Sequence, residues 1–242
     1  MSTTSHASHT SYARALARVL RFLWENHGAP KLDNHVRRYP GLRPRNVTAT
    51  DDEREALLAA APPHLRLFIL LCSDLAIRSG TAARIAPEHY DSHRRRLTFT
   101  TKFGEKLSLP TTAGIETLLD DCDMQNPESF VRQLWYGSNG QRTPYKHAAL
   151  TSSQHIQLVT SFRTLRLKLG ITRHLTPHDL RRTTAVAMLR HTGDVRKVQA
   201  LLGHRSLQAT IWYLDHDLEP VDLETLEAIR LPFLVTRKDK TA

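Results

Sequence analysis

Four residues between Thr176 and Tyr213 have the types and spacing for phosphate chemistry: His178, Arg181, His204 and Tyr213. An arginine is a fixed cation whose planar fork matches two phosphate oxygens. Imidazoles donate to an anion or carry a proton near neutral pH. A phenol is a nucleophile once deprotonated, but a free pKa of about 10 leaves few phenolates at pH 7 without help. His178 and Arg181 are three apart, so a helix would put them on one face of a single turn. Tyr213 follows His204 by nine residues, within reach of the same site.

The flanking residues supply the elements that would hold these groups. Thr176, Pro177 and Asp179 read as a helix N-cap, a proline at the first position and an acid in the first turn. The N-terminus of that helix itself favours anions. Leu180, Thr184, Ala187 and Met188 would form its anchoring face. Asp194 reads as the cap of a second helix that runs to Leu202, where Gly203 gives a left-handed stop. His204 would then occupy a tight turn, with Ser206 capping the helix that carries Tyr213. Each residue alone has a plainer reading. A histidine at a helix start is usually a cap or surface group, Arg181 beside Arg182 could be a surface pair, and Tyr213 after Trp212 could be core packing. The combination argues for chemistry.

Upstream, residues 1–11 read as a disordered leader. A short amphipathic helix is expected from Ser11, with Ala13, Leu16, Ala17, Leu20, Leu23 and Trp24 at helical spacing and Arg14, Arg18 and Arg21 on another face. Gly28 and Pro30 would stop it. Lys31–Asn46, with Arg37, Arg38, Arg43 and Arg45, reads as a basic extended linker, suited to a nucleic-acid backbone or simply to solubility. The main domain is expected to start at Thr50, whose capping box with Glu53 opens a helix to about Ala61. His64–Leu75 reads as a buried helix leading into Arg78, a charge that seldom ends an apolar run without an anionic partner. Leu97–Thr101 and Lys106–Leu109 alternate as a β-hairpin with Lys102 at its tip. Helices follow over about 112–122, 128–134 and 152–169, with a loop at 136–149. Pro220–Leu234 reads as a C-terminal acidic helix that packs on its own domain or docks on a neighbouring protomer. The fold class is mainly α with a small antiparallel β-hairpin or sheet.

Composition narrows the partners. A net charge of +10 and a pI near 10.0 point to a polyanion. The charge is uneven: residues 1–50 carry eight Lys/Arg against two acids, whereas seven acids against four bases follow Tyr213. That pattern favours nucleic acid over a membrane surface. No apolar run approaches a membrane span and no signal peptide is evident. Cys72 and Cys122 form no disulfide framework, so a reducing cytoplasm is expected. Of the 14 histidines, His174 and His178 are four apart, but no ligand carboxylate or cysteine accompanies them, so no metal is expected.

Thr-Pro-His-Asp-Leu-Arg-Arg-Thr at 176–183 and Leu-Leu-Gly-His-Arg-Ser at 201–206, with Tyr213 beyond, resemble the signature of the tyrosine recombinase (phage integrase) family. Leu75–Gly80 resembles that family's first arginine motif, and Lys102 matches its hairpin lysine. The elements occur in family order from about Thr50 to Leu214. The resemblance implies a catalytic domain at 50–214, preceded at 1–49 by a leader, a remnant core-binding helix and a linker, and followed at 215–242 by an acidic tail. It implies site-specific cleavage and rejoining of double-stranded DNA by a dimer or tetramer, through a 3′-phosphotyrosine on Tyr213. Arg78 and Arg181 would clamp the phosphate, Lys102 would protonate the leaving oxygen, His178 would assist Tyr213, and His204 would donate to the phosphate. No metal or nucleotide cofactor is implied. The chain departs from the pattern at Thr81, where the family usually places an acid. A DNA-binding protein with lost or reduced recombination and a type IB topoisomerase are the alternatives.

Overall fold

A computed structural model describes residues 6–28, 46–101, 104–137, 152–214 and 217–218. The chain divides into two compact units, Met1–Arg45 and Asn46–Ala242. In the first, α1 (His6–His27) begins five residues before the expected start at Ser11. Arg18 and Arg21 are exposed on it, as are Leu16, Val19, Phe22 and Trp24.

The second unit starts with α2 (Asp51–Ala60). Its capping box forms as its residues dictate: Thr50 Oγ accepts from Glu53 N–H at 3.2 Å, and the Glu53 carboxylate accepts from Thr50 N–H at 2.9 Å. Asn46–Ala49 belong to the same unit. Ala49 N–H donates to Thr183 Oγ at 2.7 Å, and Arg173 donates to Thr48 O at 2.7 Å while pairing with Glu53.

The apolar run of α3 (Pro63–Ser73) forms the centre of the core, with Leu67, Phe68 and Ile69 fully buried. Burying each such side chain contributes about 1.5–3 kcal/mol. Packed against α3 are α5 (Ala113–Leu119), α6 (Phe130–Gly137), α7 (Ser152–Lys168) and α8 (Pro177–Thr192). A four-residue turn of helix, α4 (Ser79–Ala82), follows Arg78. The hairpin is β2 (Arg96–Thr100) against β3 (Lys106–Pro110), in antiparallel register with Thr98 opposite Ser108. A two-residue strand, β1 (Tyr90–Asp91), adds to β2 and makes a three-stranded sheet that periodicity did not reveal. The chain then closes with α8, α9 (Val195–Leu202) and α10 (Leu207–Leu214). A second apolar cluster joins these three helices through Ala185, Val186, Leu189, Val198, Leu202 and Leu214. The fold is mainly helical with one small antiparallel sheet, as its sequence implies.

Several expected features lie outside the described residues: Lys102 at the hairpin tip, the linker arginines Arg37, Arg38, Arg43 and Arg45, the Arg14 side chain, the loop beyond Gly137, and the Pro220–Leu234 helix.

Candidate active site

The first turn of α8 is held by its own sequence. Asp179, buried at the third helical position, accepts from Thr176 N–H at 2.8 Å and from its hydroxyl at 2.6 Å. This start aims His178, Arg181 and Arg182 along one face, at positions i, i+3 and i+4. Arg181 and Arg182 are 3% and 2% exposed, which rules out a surface pair.

Arg181 ties two turns together. Its guanidinium donates to Ala76 O, two residues before Arg78, and at 2.9 Å to Leu202 O, two residues before His204. Ala76 has a φ of 49°, a left-handed conformation that costs a non-glycine residue about 1–2 kcal/mol. The buried guanidinium receives the carbonyl which that conformation turns inward. Burial, and then the charge of Arg78, lower the Arg181 pKa to about 10, so it stays cationic at neutral pH.

His204 sits where the sequence places it, after Gly203 at φ 57°. That glycine is also required by space. A Cβ there would lie 3.0 Å from Thr101 Cγ2 and 3.2 Å from a Leu107 methyl, so the turn rests directly on the hairpin. The His204 Nδ1 is 3.0 Å from Thr210 Oγ on the next helix. Where Thr210 donates to Nδ1, the neutral imidazole carries its proton on Nε2, free to donate to an anion.

Tyr213 closes the cluster. Ser206 Oγ accepts from Ala209 N–H at 3.2 Å and starts α10, which turns Trp212 outward, 55% exposed, and Tyr213 inward, 8% exposed. The tyrosine ring meets His178 edge to face at 5.6 Å between centroids and His204 at 5.9 Å. The Arg182 guanidinium carbon is 5.4 Å from the same ring centre. The ring is core packing, as the plainer reading had it, but its hydroxyl is not: it is buried, and among the described residues no group meets it with hydrogen-bond geometry. Arg181 nevertheless lies close enough to favour the phenolate.

The electrostatics follow from three arginines converging on buried groups. Burial raises the Tyr213 pKa, opposed by Arg181, Arg182 and Arg78. Burial and Arg181 lower the His178 pKa, with Asp179 opposing. Burial and then Arg181 push His204 down to about 4. Both imidazoles are therefore neutral at pH 7. Arg78 is half-buried and acts on Tyr213, Arg181, His178 and His204, so the turn after α3 does reach the site from the first half of the unit. Cys72, fully buried nearby, is pushed up to about 12 and is no competing nucleophile.

The residues that sequence reasoning missed support the ones it found. Arg182 bonds Tyr213 O and pairs with Asp217, and its position four after His178 was the available signal. His155 on α7 lies 2.9 Å from Ser79 Oγ and steadies the turn after Arg78. Thr81 N–H donates to Arg78 O at 2.8 Å, but its side chain brings no charge. A depression of about 450 Å³ lined by Pro87, Glu88, Tyr90 and Met124 shares no residue with this cluster. Among the described residues, no three His, Cys, Asp or Glu gather as a metal site, and no helix is long and apolar enough to cross a membrane.

Comparison with known proteins places these elements in context. The sequence model of the Phage integrase family matches residues 48–219. Tyrosine recombinase XerC of Pelobacter propionicus is 27% identical over 119 residues, which are 49% of this chain and 36% of the relative. XerC of Yersinia pestis is 43% identical over 53 residues, 22% of this chain and 18% of the relative. The matched stretch is thus well under two thirds of either relative. Among solved structures, a lambda integrase(75–356) dimer bound to a COC′ core site has a TM-score of 0.62 at 19% identity, covering 90% of this chain and 77% of that one. XerH bound to its difH substrate, a pre-cleavage complex, has a TM-score of 0.60 at 18% identity, covering 93% and 65%. At these identities the structures speak for the fold.

Proposed function

The chain belongs to the phage integrase family, and from that premise we propose that it cuts and rejoins double-stranded DNA at specific sites through a covalent link to Tyr213. The observation that carries this reading is the packing of the Tyr213 ring against both His178 and His204 beside the buried Arg181. An in-line attack on phosphorus needs a nucleophile, a base for its proton, cations on the non-bridging oxygens and an acid for the leaving oxygen.

The Tyr213 phenol is protonated at neutral pH; in this reading neutral His178, whose ring centre is 5.6 Å from that of Tyr213, takes its proton. The phenolate oxygen forms a bond to phosphorus, the bond from phosphorus to the 5′-oxygen breaks, and a 3′-phosphotyrosine remains. Arg181 engages two of its five N–H groups on carbonyls, leaving others for the phosphate alongside Arg78. His204 donates through Nε2, where negative charge grows in the transition state. Lys102, from the hairpin on which the His204 turn rests, protonates the departing 5′-oxygen. Rejoining is the reverse, with an incoming 5′-hydroxyl displacing Tyr213, so neither metal nor nucleotide is consumed.

The substrate in this reading is a DNA duplex held by a dimer or tetramer in the cytoplasm, with Arg18, Arg21 and the other arginines of residues 1–45 on backbone phosphates and the acidic C-terminal segment between protomers. The test is capture on nicked duplexes tiled across the DNA flanking the gene, resolved on denaturing gels. The wild type is expected to form a protein–DNA adduct and Tyr213→Phe none. An adduct from Tyr213→Phe would defeat the assignment. Relaxation of any supercoiled plasmid, whatever its sequence, would instead indicate a topoisomerase.

A further inference from the structure

Arg182 is one of the largest fully buried side chains in the described structure, and its hydrogen bonds among the described residues go to Tyr213 O, Asp217 and Asn46 rather than to Arg78, His178, Arg181 or His204. Two of these three hydrogen bonds hold the end of α10. One terminal nitrogen donates to the backbone carbonyl of Tyr213 itself. The other pairs with the Asp217 carboxylate, 7% exposed, and lies 3.2 Å from Asn46 Oδ1. The guanidinium also lies 5.4 Å from the centre of the Tyr213 ring. One cation thus holds the tyrosine by backbone and by ring, and anchors the residues just after it.

Helix geometry explains why this position matters. The last carbonyls of a helix have no partner within it, and the end of α10 would fray without one. Tyr213 O is such a group, and Arg182 caps it from the side. Because Arg182 lies four residues after His178, the helix that presents the base also sets where the nucleophile's backbone sits. A lysine there would keep the charge but could not place two donors in a fixed plane on Tyr213 O and Asp217 together.

We infer that Arg182, with Asp217 as its counter-ion, is a positioning residue that seats the Tyr213 backbone and ring against His178 and His204. The inference rests on Tyr213 being the nucleophile. Arg182 contributes no contact to substrate. Its effect is on the distance and aim of the phenol, where a displacement of about 1 Å can cost up to about 100-fold in rate.

The experiment compares wild type, Arg182→Lys, Asp217→Asn and the double variant by single-turnover adduct formation, alongside DNA affinity and thermal unfolding. Arg182→Lys is expected to lose about tenfold or more in cleavage rate, with DNA affinity within about twofold of wild type. Asp217→Asn, which keeps an acceptor of the same shape and guards against a misfolded arginine variant, should lose rate in the same direction. The double variant should be no worse than the more defective single one, because both act through one contact. Tyr213 supplies an independent readout: its phenol pKa should rise in Arg182→Lys as the planar cation leaves the ring. Wild-type rates in both single variants would overturn the inference, as would a loss that simply follows DNA affinity or unfolding temperature. A wild type that forms no adduct at all would overturn the proposed function and the inference with it.

Discussion

At the scale of residues, the site is a set of groups whose charges are set first by burial and then by nearby arginines. His178 and His204 are both held neutral below the ordinary histidine value of 6.5, by burial first and arginines second. The acid limb of kcat/KM for cleavage reports the free enzyme, so it should lie below 6.5 and move when His178 is replaced by glutamine. A limb at or above 6.5 would mean that the imidazole is not held neutral by this site. The same shift has a consequence for folding. His204 binds a proton near 6.5 when unfolded and only near 4 when folded, so the unfolded state gains protons first as pH falls. Stability should therefore decline between about pH 6.5 and pH 4, and His204→Gln should flatten part of that decline in denaturant titrations. The four groups near the C-terminus were legible because their spacing is local. Arg182 was legible only as a residue four after His178, because a pair of adjacent arginines looks the same in sequence whether it faces solvent or a tyrosine. The burial of Arg182 is decided by α10 and Asp217, which arrive some 30 residues later.

At the scale of elements, the ends of helices carry more of the site than their middles. Gly203 ends α9, opens the His204 turn and touches the hairpin. Gly203→Ala should lose about 1–2 kcal/mol from the left-handed backbone alone, and more from the contact with Thr101 and Leu107. Gly193→Ala is the natural control, since Gly193 has a φ of 61° and, beyond its chain neighbours, no described atom lies within 4 Å of where a Cβ would sit. Thermal unfolding should place Gly203→Ala below Gly193→Ala, and cleavage should fall only in the former. Equal losses would show that the hairpin contact is immaterial. Helix starts and stops were readable, as Thr50, Thr176, Asp194 and Gly203 each act through neighbours within four residues. The strand at Tyr90–Asp91 was not: two residues have no periodicity, and only pairing with Leu97 and Arg96 makes them a strand. The turn at Ala76 was equally opaque, because alanine gives no sign of a positive φ.

At the scale of the whole molecule, a net charge of +10 and a cluster of cations point the same way, toward a polyanion. DNA affinity should fall linearly on logarithmic axes with added salt, with a slope near −0.9 for each phosphate neutralised. A filter-binding series should show a drop of at least about tenfold between 50 and 200 mM salt; an affinity indifferent to salt would remove nucleic acid from the proposal. Composition and charge point to the proposed partner class, whereas a DNA target sequence would be written in no local pattern, because base readout depends on side chains placed against a duplex. The claim on which the function depends is covalent chemistry at Tyr213. The most direct measurement digests a trapped adduct with protease and nuclease and maps it by mass spectrometry. The expected result is a nucleotide 3′-phosphate on the peptide containing Tyr213, with a free 5′-hydroxyl on the released strand. An adduct on another residue, a 5′-linked phosphate, or no adduct from DNA that is bound would contradict it.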